Sequence, residues 1–100
     1  MRIAYIGKMK GKAYESVAID DTVGGKGFTA SNITDCKRAY ITIETASIRF
    51  RYDGTAPTAT EGHLLYPRDI LIIEGFSNLE NFRAIRSSGI SGVLKCSFER

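Results

Sequence analysis

The chain has 100 residues, 43% of them hydrophobic and 25% charged, with a net charge of +3. That length accommodates one domain, and that balance excludes a disordered chain. No apolar run approaches the ~18 residues of a membrane span, and the start has no apolar segment of the kind a signal peptide carries, so neither anchor nor leader is expected.

Residues 1–12 read as a basic arm, because Arg2, Lys8, Lys10 and Lys12 all precede the first acid, Glu15. Such an arm either touches phosphate or an acidic protein face, or is a solvated chain end. Residues 13–100 read as the domain. Its pattern is a series of short β-type runs between turn clusters.

The first run spans Ala13 to Ile19, and Asp20-Asp21 and Gly24-Gly25 close it with a loop. A weak strand is expected at Gly27–Thr29. Ala39–Thr45 and Ser47–Tyr52 follow. In the latter, Ile48, Phe50 and Tyr52 share one face while Ser47, Arg49 and Arg51 share the other, a period-2 pattern that makes a half-buried strand with an arginine-bearing outer face. Asp53-Gly54-Thr55 is a turn, since glycine takes positive φ there. An extended loop with Pro57 leads to a short strand at His63–Tyr66.

Pro67-Arg68-Asp69 turns the chain into Ile70–Glu74, an apolar run of strand length. Phe82–Arg86 and Val93–Phe98 complete the set. The one helical candidate is Asn78–Ala84, with Asn78 as its cap. Seven or eight short strands joined by long loops point to an all-β fold: a single antiparallel β-sandwich, jelly-roll-like domain.

Two cysteines are too few for a disulfide scaffold. Cys96 alternates with Leu94 and Phe98 and is expected in the core. Cys36 lies in the polar stretch Thr34-Asp35-Cys36-Lys37, which points to exposure, and no bridge between the two is expected.

Catalytic and ligand-binding patterns are sparse. Three scattered Cys and His residues do not make a zinc site. A nucleophilic triad would have to use His63, the only histidine, with partners that no motif marks. Asp53 and Glu61 are the nearest carboxylate pair, and they read as turn residues. Gly7–Ala13 falls short of a P-loop by one spacer residue and ends without a hydroxyl. Gly25-Lys26-Gly27 lacks the third glycine of a dinucleotide loop. Asn32-Ile33-Thr34 has glycosylation-sequon form, meaningful only in a secreted eukaryotic protein.

Alternation sets Tyr52 opposite Arg49 and Arg51, which argues against a nucleic-acid face. The two arginines are expected to pair with acids such as Glu44 on a neighbouring strand, or with a second subunit. No catalytic residue, metal or cofactor is expected.

One stretch carries more. Arg49-Phe50-Arg51-Tyr52-Asp53-Gly54-Thr55-Ala56-Pro57-Thr58 runs on to Gly62-His63, and then come Asn81-Phe82-Arg83-Ala84-Ile85-Arg86 and the closing Gly92–Phe98. Residues 27–100 resemble a group of small β-rich proteins encoded among the virion genes of tailed bacteriophages and prophages. The resemblance implies a non-enzymatic virion structural protein. The form it favours is a capsid decoration or cement protein that assembles with itself and with the major capsid protein. A head–tail neck or adaptor component is an alternative.

It implies a location in the virion, and in the host cytoplasm before assembly. The candidate interface residues are Arg49, Arg51, Asp53, Thr55, Pro57, His63, Arg83 and Arg86. The arginines are read either as subunit contacts or as a solvated sheet face. The Asp53–His63 loop is read either as a shaped contact surface or as a turn anchored by its own Asp and Thr side chains. A virion carbohydrate-binding module is a further alternative. It would need a tyrosine platform, for which Tyr5, Tyr40 and Tyr66 are candidates.

Overall fold

The computed structural model describes residues 6–100, so Arg2 and Tyr5 lie outside the described residues. Among the described residues are seven strands: β1 (Gly11–Ile19), β2 (Arg38–Glu44), β3 (Ile48–Arg51), β4 (His63–Leu65), β5 (Ile70–Glu74), β6 (Arg83–Arg86) and β7 (Gly92–Glu99). Two short helices, α1 (Ala30–Ile33) and α2 (Phe76–Asn81), sit in the connections.

The strands form an antiparallel four-stranded sheet, β1-β7-β2-β5, and an antiparallel three-stranded sheet, β4-β3-β6. An isolated bridge, Lys26 with Ala84, adds a rudimentary strand outside β6. With that bridge the two orders are those of a jelly roll, in which the chain crosses repeatedly between facing sheets. The protein is an all-β, sandwich-like domain.

Alternation drives the layering. On β2, Ala39, Ile41 and Ile43 are buried, and on β7 Leu94, Cys96 and Phe98 are buried beside them. On β3, Ile48 and Phe50 turn inward from the opposite sheet. An aromatic file fills the space between: Phe98 meets Phe28 edge-on at 5.0 Å, Phe28 stacks on Phe82 at 4.6 Å, and Phe82 packs on Phe50 at 5.6 Å. Offset and edge-on pairs of this kind add to plain apolar burial.

Several expectations need correction. The first strand begins at Gly11, inside the expected arm, and the Lys10 and Arg100 backbones exchange two hydrogen bonds beyond its end. The strand expected at Gly27–Thr29 is reduced to the single Lys26 bridge, because the chain then turns into α1. Asn78 does not cap α2. The helix starts at Phe76 after Gly75, and the Asn78 Nδ2 donates back to the Glu74 carbonyl. It ends before Phe82, whose extended backbone buries the ring in the core.

Cys36 is buried, not exposed: polar neighbours hid the fact that it packs under the sheet with Ile33. Cys96 is in the core as expected, and both thiols are free.

Candidate functional site

β3 and β4 pair through Arg49 and Leu64, and Phe50 and His63, so the chain from Tyr52 to Gly62 must return as a loop beside β3. Arg49 organises that return. Its Nε donates to the Ala59 carbonyl at 3.0 Å and its Nη1 to the Gly62 carbonyl at 2.9 Å. Thr58 closes the tip: its hydroxyl accepts the Glu61 amide at 2.9 Å, while its own amide donates to the Glu61 carbonyl. Pro57 is buried beneath.

Gly62 holds φ +137°, and an added Cβ would stand 3.0 Å from the Phe50 carbonyl and 3.3 Å from Pro57. Only glycine fits this conformation without strain.

The loop opens with a second brace. Arg51 donates to Asp53 through Nε at 3.1 Å and Nη2 at 2.5 Å, and the Thr55 amide donates to the same carboxylate at 3.3 Å. The Arg51 guanidinium, helped by that amide, holds the Asp53 carboxyl at about 2, below its ordinary value, and Asp53 in turn raises Arg51. Arg51 and Asp53 together with Tyr52, Glu61 and His63 line an open cleft of about 470 Å³. His63 packs against Phe50 at 5.3 Å and lies 6.3 Å from Tyr52, so this cleft joins the outer end of the aromatic file. Tyr52 and His63 also line a second groove, of about 420 Å³, with Leu65 and Leu71 from the two neighbouring edge strands.

The structure thus brings Arg49, Arg51, Asp53, Thr55, Pro57 and His63 into one braced loop. The arginine pairing expected with Glu44 does not occur. Glu44 lies in the other sheet, and the partners are loop carbonyls and Asp53. Nor do the four arginines make one surface. Arg83 stands opposite Arg51 in the β3–β6 ladder, and its Nη1 turns away to the Glu80 and Phe82 carbonyls. Arg86 has the parity of buried Ala84, and reaches Asp21 at 3.3 Å on the other side of the strand.

Sequence reasoning named Tyr40 but missed Tyr14 and the row they share on the outer face of the large sheet. Tyr14, Ser97, Tyr40 and Ile72 stand in register across β1, β7, β2 and β5. Two tyrosines flank a serine there, two strand spacings or roughly 9.5 Å apart. The signal was available: both tyrosines alternate with inward-facing residues, Ala13 and Glu15 about Tyr14, Ala39 and Ile41 about Tyr40. Tyr66 lies apart, in the turn before β5.

Among the described residues, no group of three or more His, Cys, Asp or Glu side chains is arranged to hold a metal ion, and no helix is long and apolar enough to cross a membrane. No family model, no curated protein and no solved structure matches the chain.

Proposed function

We propose that this chain is a non-enzymatic structural protein of a bacteriophage virion, acting as a capsid decoration or cement protein that binds the assembled shell. The observation that carries this reading is the braced loop. The motif on which the virion resemblance rests, Arg49 to His63, spends its arginines on holding the loop in one shape, with Arg49 tied to two carbonyls and Arg51 to Asp53.

A loop held this way loses little entropy when it docks, which suits a protein that adds to a preformed lattice. Thr55, Glu61 and His63 stand exposed on it as the docking groups. Jelly-roll winding is common in capsid proteins, and that analogy of fold agrees with the reading without carrying it.

The test is peptide mass spectrometry on particles purified from a lysate of the phage or prophage that encodes the chain, followed by rebinding of the purified protein to particles stripped of it. Stoichiometric recovery and rebinding, lost in a Glu61→Lys, His63→Ala variant that still folds, is the expected result. Absence from particles that are otherwise complete overturns the reading.

The Tyr14–Tyr40 row favours a second reading, a carbohydrate-binding module, since flat aromatic faces stack on sugar rings. Saturating binding of a soluble oligosaccharide, lost on Tyr40→Ala, would replace the first reading with this one.

A further inference from the structure

Every open sheet invites another strand at its edges, and proteins normally blunt those edges. Three of the edges here are blunted. β1 carries an irregular register between Gly11 and Ala13, and its Glu15, opposite core Cys96, points a charge inward. The segment around α1 covers that edge: the Thr29 amide and the Asn32 Nδ2 donate to Glu15, and Lys12 Nζ donates to the Ser31 and Thr34 carbonyls at 2.8 Å. β6 is occupied on its outer side by Lys26, which exchanges two backbone hydrogen bonds with Ala84, and by the Asp20 carbonyl, which accepts the Arg86 amide. β4 has only three residues.

β5 has none of these devices. Ile70-Leu71-Ile72-Ile73-Glu74 pairs with β2 over five residues without a break, and holds no proline, lysine or inward charge. Ile72 is 44% exposed. The exposed Tyr52 lines the same groove as Ile72 beside this edge.

We propose that the β5 edge is a self-association site, on which a second copy of this chain adds its own β5 antiparallel about a two-fold axis at Ile72. The sequence of the strand is complementary to itself in that register. Ile72 faces Ile72, Leu71 faces Ile73, and Ile70 faces Glu74, which keeps all five residues in the ladder. Charge selects the direction. A parallel pairing would set Glu74 beside Glu74, whereas the antiparallel one separates them, each Glu74 facing Ile70 of the second copy.

A one-residue slip would set the outward-facing Ile72 opposite the core-facing Leu71 or Ile73 of the second copy, so the register is specified. The outcome is an isologous dimer with one continuous eight-stranded sheet, the Tyr14–Tyr40 rows aligned across it. Edge pairing of five residues buries less than the ~1,200 Å² of stable complexes, so the dimer is weak and concentration-dependent.

This inference deepens the virion reading by naming one of its partners, a second copy, and a different experiment decides it. Light scattering after size exclusion, across protein concentrations, should show a monomer–dimer equilibrium. Ile72→Lys, at an exposed position, should raise the dissociation constant at least tenfold, and Tyr14→Lys on the guarded edge should leave it unchanged. Ile72→Cys should cross-link to itself under mild oxidant, since the two native thiols are buried, and Tyr14→Cys should not. A monomer at every concentration, or a dimer that Ile72→Lys leaves intact, overturns the proposal. Neither result bears on whether the protein is found in particles, which the preceding test decides.

Discussion

Arg38 and Glu99 stand opposite each other in the β2–β7 ladder and form an ion pair at 2.6 Å with side-chain exposures of only 12% and 6%. Few charges in this fold are so enclosed. Removing one partner of such a pair strands the other charge away from water, at a cost of about 3–5 kcal/mol. Arg38→Met, which leaves Glu99 buried at 5% exposure, should therefore lower stability by that order in urea unfolding. The double replacement Arg38→Met, Glu99→Leu should recover most of the loss, because neither charge then needs a partner. A single variant as stable as the wild type would show that water reaches the pair in solution.

Acid should act through Asp53. Its folded carboxyl titrates at about 2, held there first by the Arg51 side chain and then by the Thr55 amide, against ~3.9 for an unfolded aspartate. A depressed folded value contributes stability that is fully present above the unfolded value and disappears as pH falls towards 2. Unfolding midpoints measured between pH 5 and pH 2 should fall, and Asp53→Asn should flatten part of that slope. Asp20, also lowered, first by the Thr22 hydroxyl, leaves a residual slope in the variant. Because Asp53 is exposed, the effect is modest. Identical slopes in the two proteins would mean that the Arg51 brace does not persist in solution.

Cys96 gives the opposite sign. Burial, then the charge of Glu15, pushes the Cys96 thiol up to about 12, against ~8.5 in an unfolded chain. Stability from that group is complete below the unfolded value and is lost as pH rises towards 12. Native protein at pH 8 should resist a thiol reagent at both positions, since Cys36 and Cys96 are each 1% exposed or less. Both should react at once in denaturant. Cys96→Ala should remove part of the alkaline loss of stability. Rapid labelling of one thiol in native protein would locate a local opening, and peptide mapping would say which.

The strands were legible because their signal is local. Ile70–Glu74 has the bounds expected of it, and the alternation of Ile48, Arg49, Phe50 and Arg51 divides inner from outer face as read. What stayed hidden depends on partners distant in sequence. Cys36 looks exposed beside Asp35 and Lys37, yet it is buried because the chain around Ile33 folds beneath the sheet. Arg49 looks like a surface charge awaiting an acid, and its partners are carbonyls that exist as a pair only once the loop has closed. The Asp53–His63 loop was legible in half: Asp53 and Thr58 bond the local backbone as such residues do. The brace from β3 was not, since nothing in its spacing marks a guanidinium as a loop anchor. The contrast between guarded β1 and bare β5 needed the sheet order itself.

The loop should yield separately from the domain. Arg49→Lys keeps the charge but loses the planar fork that reaches both Ala59 and Gly62. Hydrogen exchange of the Thr60 and Glu61 amides should quicken by one to two orders of magnitude, while amides of β2 and β7 keep their protection. Global stability should fall by about 1 kcal/mol, the order of one net hydrogen bond. Gly62→Ala attacks the same loop through the backbone: a side chain at φ +137°, 3.0 Å from the Phe50 carbonyl, forces the turn to shift, at about 1–3 kcal/mol. If the loop is what docks, both variants should weaken particle binding while the β5 dimer persists, because β5 lies in the other sheet. Loss of both properties together would mean that loop and edge act as one unit.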